Sequence, residues 1–215
     1  MNSKEPDVSV AHSVRKSIGV FYGSPPGAFP KYERVARELG SALARRGAGL
    51  IYGAGRRGVN GALAKVALTE GAHVTGVIPN ELYERECLPD TYGEIFMVRT
   101  LHERKSLIYR LSDAFVVLPG GYDTLDELME IASWNQIGFH RKPVVLVNVD
   151  GFFDPLLAML DRMSEEGFFS TMDRAIVQSA LGAEAALDAL GVPPASGAAG
   201  GPRTVAAVPG RGRHR

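Results

Sequence analysis

From Ser17 onward the chain repeats one order: a short apolar run, a glycine-containing turn, then a stretch whose apolar residues recur at helical spacing. The apolar runs are SIGVFYG (17–23), AGLIYG (48–53), HVTGVIP (73–79), EIFMV (94–98), SDAFVVLPGG (112–121) and KPVVLVNV (142–149). Apolar side chains follow one another in these runs instead of alternating with polar ones, as in strands covered on both faces, and parallel sheets have such strands. Helices are expected over 30–46, with Val35, Leu39, Ala42 and Leu43 on one face, through ALAKVALTEG (62–71), and over 101–111, 124–138 and 154–166. Strands alternating with helices imply the α/β class, here a three-layer, Rossmann-like doubly wound parallel sheet in a single domain.

A chain of 215 residues suits one domain with a full core. Its 24 basic and 24 acidic side chains cancel to a formal charge of +0, which gives no support to nucleic acid or an anionic membrane as a partner. Cys87 is the single cysteine, so no internal disulfide forms, and the five histidines are too scattered for a transition-metal site. No apolar run approaches the ~20 residues of a membrane span, and the N-terminus has no signal-peptide pattern, so a cytoplasmic location is expected. Residues 1–15 read as a flexible arm, 16–190 as the nucleotide-binding domain, and the Pro-, Gly- and Ala-rich 191–215 as a disordered tail. Arg211, Arg213 and Arg215 within that tail are read as solvated.

In a doubly wound fold ligands bind beyond the carboxyl ends of the strands, so the turns there carry the functional reading. Gly53-Ala54-Gly55-Arg56-Arg57-Gly58 is a G-x-G-x-x-G, yet it follows the second strand, and the next strand ends without the acidic residue that binds an adenosine ribose. Close packing and the lining of a nucleotide pocket both remain open for it. In Pro119-Gly120-Gly121-Tyr122-Asp123-Thr124-Leu125-Asp126-Glu127 the paired glycines admit a ligand to the backbone. Thr124 can open a helix there, whose first N–H groups and dipole favour a phosphate. Thr124 and Glu127 also have the spacing of a capping box, which would close the helix start without any ligand. Arg104 and Lys105 lie early in the preceding helix, where cations oppose the macrodipole and hint at an anionic partner.

Together these segments resemble the Lonely guy family of cytokinin-activating phosphoribohydrolases. That family carries a Y-G-G-G turn, an R-K pair in a helix and the signature P-G-G-x-G-T-x-x-E; the counterparts here are Tyr52-Gly53-Ala54-Gly55, Arg104-Lys105 and Pro119 to Glu127. The similarity extends over roughly residues 17–178, through FYGSPPG, GVIPNELYERE and SWNQIGFHRKPVVLVNVDGFFDPLL. The resemblance implies hydrolysis of the N-glycosidic bond of a nucleoside 5′-monophosphate, with no cofactor or metal, in a homodimer or larger homo-oligomer. It implies that Glu127 and Arg104 are catalytic. It also implies substrate contacts from Glu86, Lys105, Gly120, Gly121, Tyr122, Asp123, Thr124, Leu125, Asp126, Ser133, Ser24, Gly53 and Gly55. Trp134, Phe139 and Tyr109 are candidates for contacts between subunits, with a core role equally open.

Four positions depart from the family pattern, one of them Ser133, which stands where the family usually has Thr and keeps a hydroxyl. Asp123 stands where the signature has Gly, and a carboxylate beside a phosphate is repulsive by about 1 kcal/mol or more. Ala54 replaces a glycine of the Y-G-G-G turn, and Asn60 stands where Met is common. Asp123 keeps open a second reading, a non-hydrolytic nucleotide or molybdenum-cofactor carrier of related fold. Lysine decarboxylation, a label attached to relatives, would need a pyridoxal-phosphate lysine that nothing in the sequence singles out.

Overall fold

The computed structural model describes residues 16–23, 25–55, 58–86 and 92–194, with residues 84–86 described by backbone alone. Its seven strands are β1 (Ser17–Phe21), β2 (Gly49–Tyr52), β3 (Val74–Pro79), β4 (Glu94–Val98), β5 (Ala114–Val117), β6 (Val144–Val147) and β7 (Val177–Ala180). They form one sheet in the order β4-β3-β2-β1-β5-β6-β7, and every neighbouring pair is parallel. The helices among the described residues are α1 (Pro30–Arg45), α2 (Gly58–Thr69), α3 (Asn80–Glu86), α4 (Leu101–Leu111), α5 (Tyr122–Gln136), α6 (Asp154–Glu165), α7 (Thr171–Arg174) and α8 (Ala183–Ala189). None of them is long and apolar enough to cross a membrane.

The two-sided apolar strands supply two cores. In β5, Ala114 and Val116 face the first core while Phe115 and Val117 face the second. The first core packs α1 through Val35, Leu39 and Leu43, α2 through Leu63 and Ala67, and α8 through Ala186 and Leu187. The second packs α4 through Ile108 and Tyr109, α5 through Leu128 and Ile131, and α6 through Leu160. Local signals set the helix starts. Pro30 occupies the first turn of α1, where a missing N–H costs nothing. Thr100 caps α4 by accepting the Glu103 N–H at 3.1 Å.

The order of elements along the chain follows the sequence reading, with five differences, the first being helix α3 after β3, where no helix was expected. The strands end at or before the glycines, so β5 stops at Val117 and the double glycine belongs to the turn. The edge strand β4 is not covered on both faces: Phe96 is 40% and Met97 54% exposed. Helix α5 starts at Tyr122 with Gly121 as its cap, so Thr124 is the third helical residue, and the capping box suggested by T-x-x-E does not form. Finally β7, α7 and α8 continue the fold beyond the expected elements. The β7 sequence VQSA is half polar because it lies at the sheet edge, which hides it from an apolar-run criterion.

The described chain also runs past residue 190. Val192 is 3% exposed, donates its N–H to the Leu187 carbonyl at 2.9 Å and accepts from Arg46 Nη1 at 2.6 Å. The expected arm, and the tail from residue 195 onward, lie outside the described residues. Leu187 is fully buried where α8 closes the first core. Leu187→Ala is therefore expected to lower the unfolding free energy by about 2–4 kcal/mol, read from urea denaturation; a loss below 0.5 kcal/mol, on the order of a surface substitution, would show that α8 is peripheral.

Candidate active site

Strands β1 and β5 are neighbours, yet the chain leaves them toward opposite edges of the sheet, and this makes the crevice at their carboxyl ends a topological switch point. Gly23, after β1, donates its N–H to the Pro119 carbonyl at 3.3 Å. A Cβ on Gly120 would lie 2.0 Å from Thr124 Oγ1 and 2.5 Å from the Gly23 nitrogen, so the first glycine of the pair is required by the chain's own packing. A Cβ on Gly121 would meet only Asp123 Oδ1, at 3.5 Å. The second glycine therefore faces space in which a ligand can approach the start of α5, whose first-turn N–H groups have no intrahelical acceptor.

Asp123 shapes that helix start. Its Oδ1 accepts the Thr124 N–H at 2.9 Å, a carboxylate at the positive end of the helix dipole. Thr124 itself is 1% exposed, with its hydroxyl turned onto Gly120. One donor of the expected phosphate cradle is thus occupied by a side chain of the same turn.

Across the crevice, α4 delivers Arg104. Its Nη2 donates to the Gly53 carbonyl at 3.1 Å, and a Cβ on Gly53 would lie 1.8 Å from that nitrogen. Gly53 is glycine because the guanidinium rests on its α-carbon. Ala54, next in the turn, is buried with a φ of 59°, a left-handed conformation that an alanine adopts at a cost of roughly 1 kcal/mol. Glycine's replacement there leaves the turn intact.

Arg104 and Glu127 line one cavity of about 50 Å³ together with Val20, Phe21, Tyr22, Gly53, Asn60 and Asp123. Among the described ion pairs none joins Arg104 to Glu127. Burial pushes the Glu127 carboxyl up to about 8. Arg104 counters this, Asp123 and Asp126 add to it, and Lys105 weakly opposes it. Glu127 therefore holds its proton near neutral pH.

Lys105 is engaged elsewhere. Its ammonium pairs with Asp126 at 2.9 Å and Glu130 at 2.6 Å, which ties α4 to α5. Burial lowers its basicity, but the bonds to Glu130 and Asp126 outweigh that and raise it overall. The Tyr109 hydroxyl donates to the same Glu130 carboxylate at 3.0 Å and lies 3.3 Å from the Glu127 carbonyl. Lys105 and Asp126 thus brace the helix that carries Glu127.

Of the other expected site residues, Tyr122 is 94% exposed at the start of α5, and Leu125 lies on the exposed side of that helix. Gly55 packs under the Asn60 carboxamide. Ser133 is not brought to this cavity; it lines a separate one of about 110 Å³ with Met129, Met163 and Phe169. Ser24 and the side chain of Glu86 lie outside the described residues. Of the three aromatic contact candidates, Tyr109 is a core residue, Trp134 packs edge-on against it at 4.5 Å, and Phe139 is 79% exposed. Two features were not anticipated from sequence: the place of Asn60 in the cavity, and an apolar groove of about 180 Å³ beside the double glycine, walled by Pro25, Pro26, Tyr32, Val59 and Phe152. The signals for the first in the sequence were a polar residue inside the otherwise apolar GVNGALA segment and a departure from the family pattern at position 60.

The all-parallel sheet with a polar crevice at its switch point defines a doubly wound, Rossmann-like protein. Residues 60–190 match the family described as "Possible lysine decarboxylase". The cytokinin riboside 5′-monophosphate phosphoribohydrolase LOG7 of Arabidopsis thaliana is 46% identical over 169 residues, covering 79% of this chain and 78% of that protein. The corresponding enzyme LOG of Oryza sativa subsp. japonica is 45% identical over 165 residues, covering 77% and 68%. The chain belongs to this family, the Lonely guy proteins. The molybdenum cofactor carrier protein of Chlamydomonas reinhardtii shares the fold, with a TM-score of 0.61 at 24% identity over 82% of this chain and 96% of that one.

The raised Glu127 has a stability consequence. The folded chain keeps this proton between about 4.5 and about 8, a window in which the unfolded chain has lost it, so stability falls as pH rises through the window. Glu127→Gln removes that slope. The variant is expected to match wild type near pH 5 and to exceed it by about 2 kcal/mol or more near pH 9, measured by urea unfolding. Parallel pH profiles for the two proteins would show that Glu127 is not buried as described.

Proposed function

We propose that the chain hydrolyses the N-glycosidic bond of nucleoside 5′-monophosphates, cytokinin riboside 5′-monophosphate or AMP, releasing free base and ribose 5-phosphate. The observation that carries this reading is the presence of both Arg104 and Glu127 in the lining of one small polar cavity at the switch point, beside the N-terminus of α5. The naming of its relatives as phosphoribohydrolases supports the reading. The 5′-phosphate would take the helix N-terminus at Gly121 and Tyr122, and the base the apolar groove between Tyr32 and Phe152. Ionised Glu127 stabilises positive charge on the ribose and accepts a proton from the attacking water. The water oxygen bonds to the anomeric carbon, the C–N electron pair leaves on the base nitrogen, and that nitrogen takes up a proton. Arg104 orients phosphate and sugar from the same cavity.

The same reading includes a cytoplasmic homodimer or larger homo-oligomer; exposed Phe139 and Tyr122 are apolar surface available to a second copy. Lysine decarboxylation finds no support at this site, because none of the residues lining the Arg104–Glu127 cavity is a lysine that could form a Schiff base. Asp123 favours weak phosphate binding, since its carboxylate already holds the Thr124 N–H.

Wild type incubated with isopentenyladenosine monophosphate and AMP is expected to release free base, and Glu127→Gln to lower kcat by about 100-fold or more. Equal background for both proteins on every nucleotide would leave a non-hydrolytic binding protein. Because the working form of Glu127 is the carboxylate, kcat/KM is expected to rise with pH and level off above about 8. Asp123→Gly removes a charge that raises Glu127, and it frees the Thr124 N–H. It is expected to move that rise to lower pH and to lower KM, whereas a rate falling with pH through this range would make Glu127 an acid instead.

A further inference from the structure

Two buried polar atoms that line the same cavity have no hydrogen-bond partner among the described residues: Asn60 Oδ1 and Arg104 Nε. The first can only accept and the second can only donate. Asn60 lies in the first turn of α2 and is 8% exposed. Its amide nitrogen packs on Gly55, where a Cβ would come within 2.5 Å of it, so this glycine lets the carboxamide lie against the turn. Arg104 has Nη2 committed to the Gly53 carbonyl, which keeps the guanidinium in place while Nε stays unpaired.

Native proteins rarely leave such atoms unsatisfied, and a bound water or ligand group is the usual partner. A cavity of about 50 Å³ has room for a water-sized group beside these two residues. A hydroxyl answers both atoms, since it accepts from Nε–H and donates to Oδ1.

We propose that Asn60 and Arg104 together hold one hydroxyl group beside Glu127, which makes Asn60 a substrate-side residue of this site. The proposal rests on the phosphoribohydrolase reading. The hydroxyl has two sources. A water held here would be the nucleophile: its second O–H passes the proton to Glu127 as its oxygen bonds to the anomeric carbon and the C–N pair leaves on the base. A ribose hydroxyl held here would fix the sugar, with no bond made or broken at Asn60.

The test uses full-length wild type, Asn60→Met and Asn60→Ala, each first compared by thermal unfolding. The proteins are assayed with AMP and its 2′- and 3′-deoxy analogues, and ribose 5-phosphate binding is measured by calorimetry. Both variants are expected to lose about 10- to 100-fold in kcat/KM on AMP. If water is held, the loss lies in kcat, is equal for the analogues that wild type cleaves, and leaves ribose 5-phosphate affinity unchanged. If a ribose hydroxyl is held, wild type rejects one deoxy analogue, the variants no longer do, and ribose 5-phosphate binds them more weakly. Folded variants with wild-type kcat, KM and analogue preference would overturn the proposal.

Should the variants not fold, a high-resolution crystal structure of wild type alone and with ribose 5-phosphate decides. Density within hydrogen-bond reach of both atoms supports the proposal, and an empty cavity in both refutes it. Wild type that cleaves no nucleotide would remove the hydrolase reading, while the crystal structure would still decide whether Asn60 and Arg104 hold a hydroxyl.

Discussion

The site depends on the guanidinium of Arg104 resting on the bare α-carbon of Gly53. That contact crosses from α4 to the end of β2, and it sets a cation against the carbonyl edge of the sheet. Any side chain at position 53 would displace it. With Arg104 in place, Glu127 on α5 lines a small cavity together with that cation, and burial is the leading influence on its proton. The Lys105 clamp to Asp126 and Glu130 holds α5 in register with α4, so the geometry of both catalytic candidates is set by one pair of helices.

The switch point explains why these groups converge. Helices α1 and α2 cover one face of the sheet and α4, α5 and α6 the other, and between β1 and β5 no crossing connection fills the crevice. Glycines at 23 and 120 let the two turns touch there, and Gly121 leaves the helix start approachable. Retaining a carboxyl whose ionisation opposes folding is the kind of local cost that functional sites carry.

Most of the architecture was legible because it is written in runs of apolar residues. EIFMV and the segment 101–111 have the bounds of β4 and α4 as read, and of the runs read as two-sided all but EIFMV became central strands. The VQSA strand and the seven-residue α8 escaped because an edge strand with two exposed polar residues has no such run. The phosphate turn was legible from its glycines, but the pairing of Arg104 with Glu127 was legible only through the family resemblance, since nothing in spacing brings the two together. Where spacing did suggest a local structure, at Thr124 and Glu127, the three-dimensional outcome differed. Gly121 serves as the cap, Asp123 takes the Thr124 N–H from within the first turn, and the threonine is free to turn inward. The engagement of Lys105 by Glu130 depends on a contact between distant segments and left no trace in the sequence, whereas Asn60 showed there as a polar residue in an apolar segment.

Glu127 places a carboxyl poised near neutrality in the crevice at the switch point. Titration of the Glu127 carboxyl tests it most directly, by carbon-13 NMR of glutamate-labelled protein with Glu127→Gln to assign the signal. The account predicts a midpoint near 8 in the free protein. It also predicts an upward move when ribose 5-phosphate adds negative charge beside it. A midpoint near the ordinary 4.5, unmoved by ribose 5-phosphate, would contradict it.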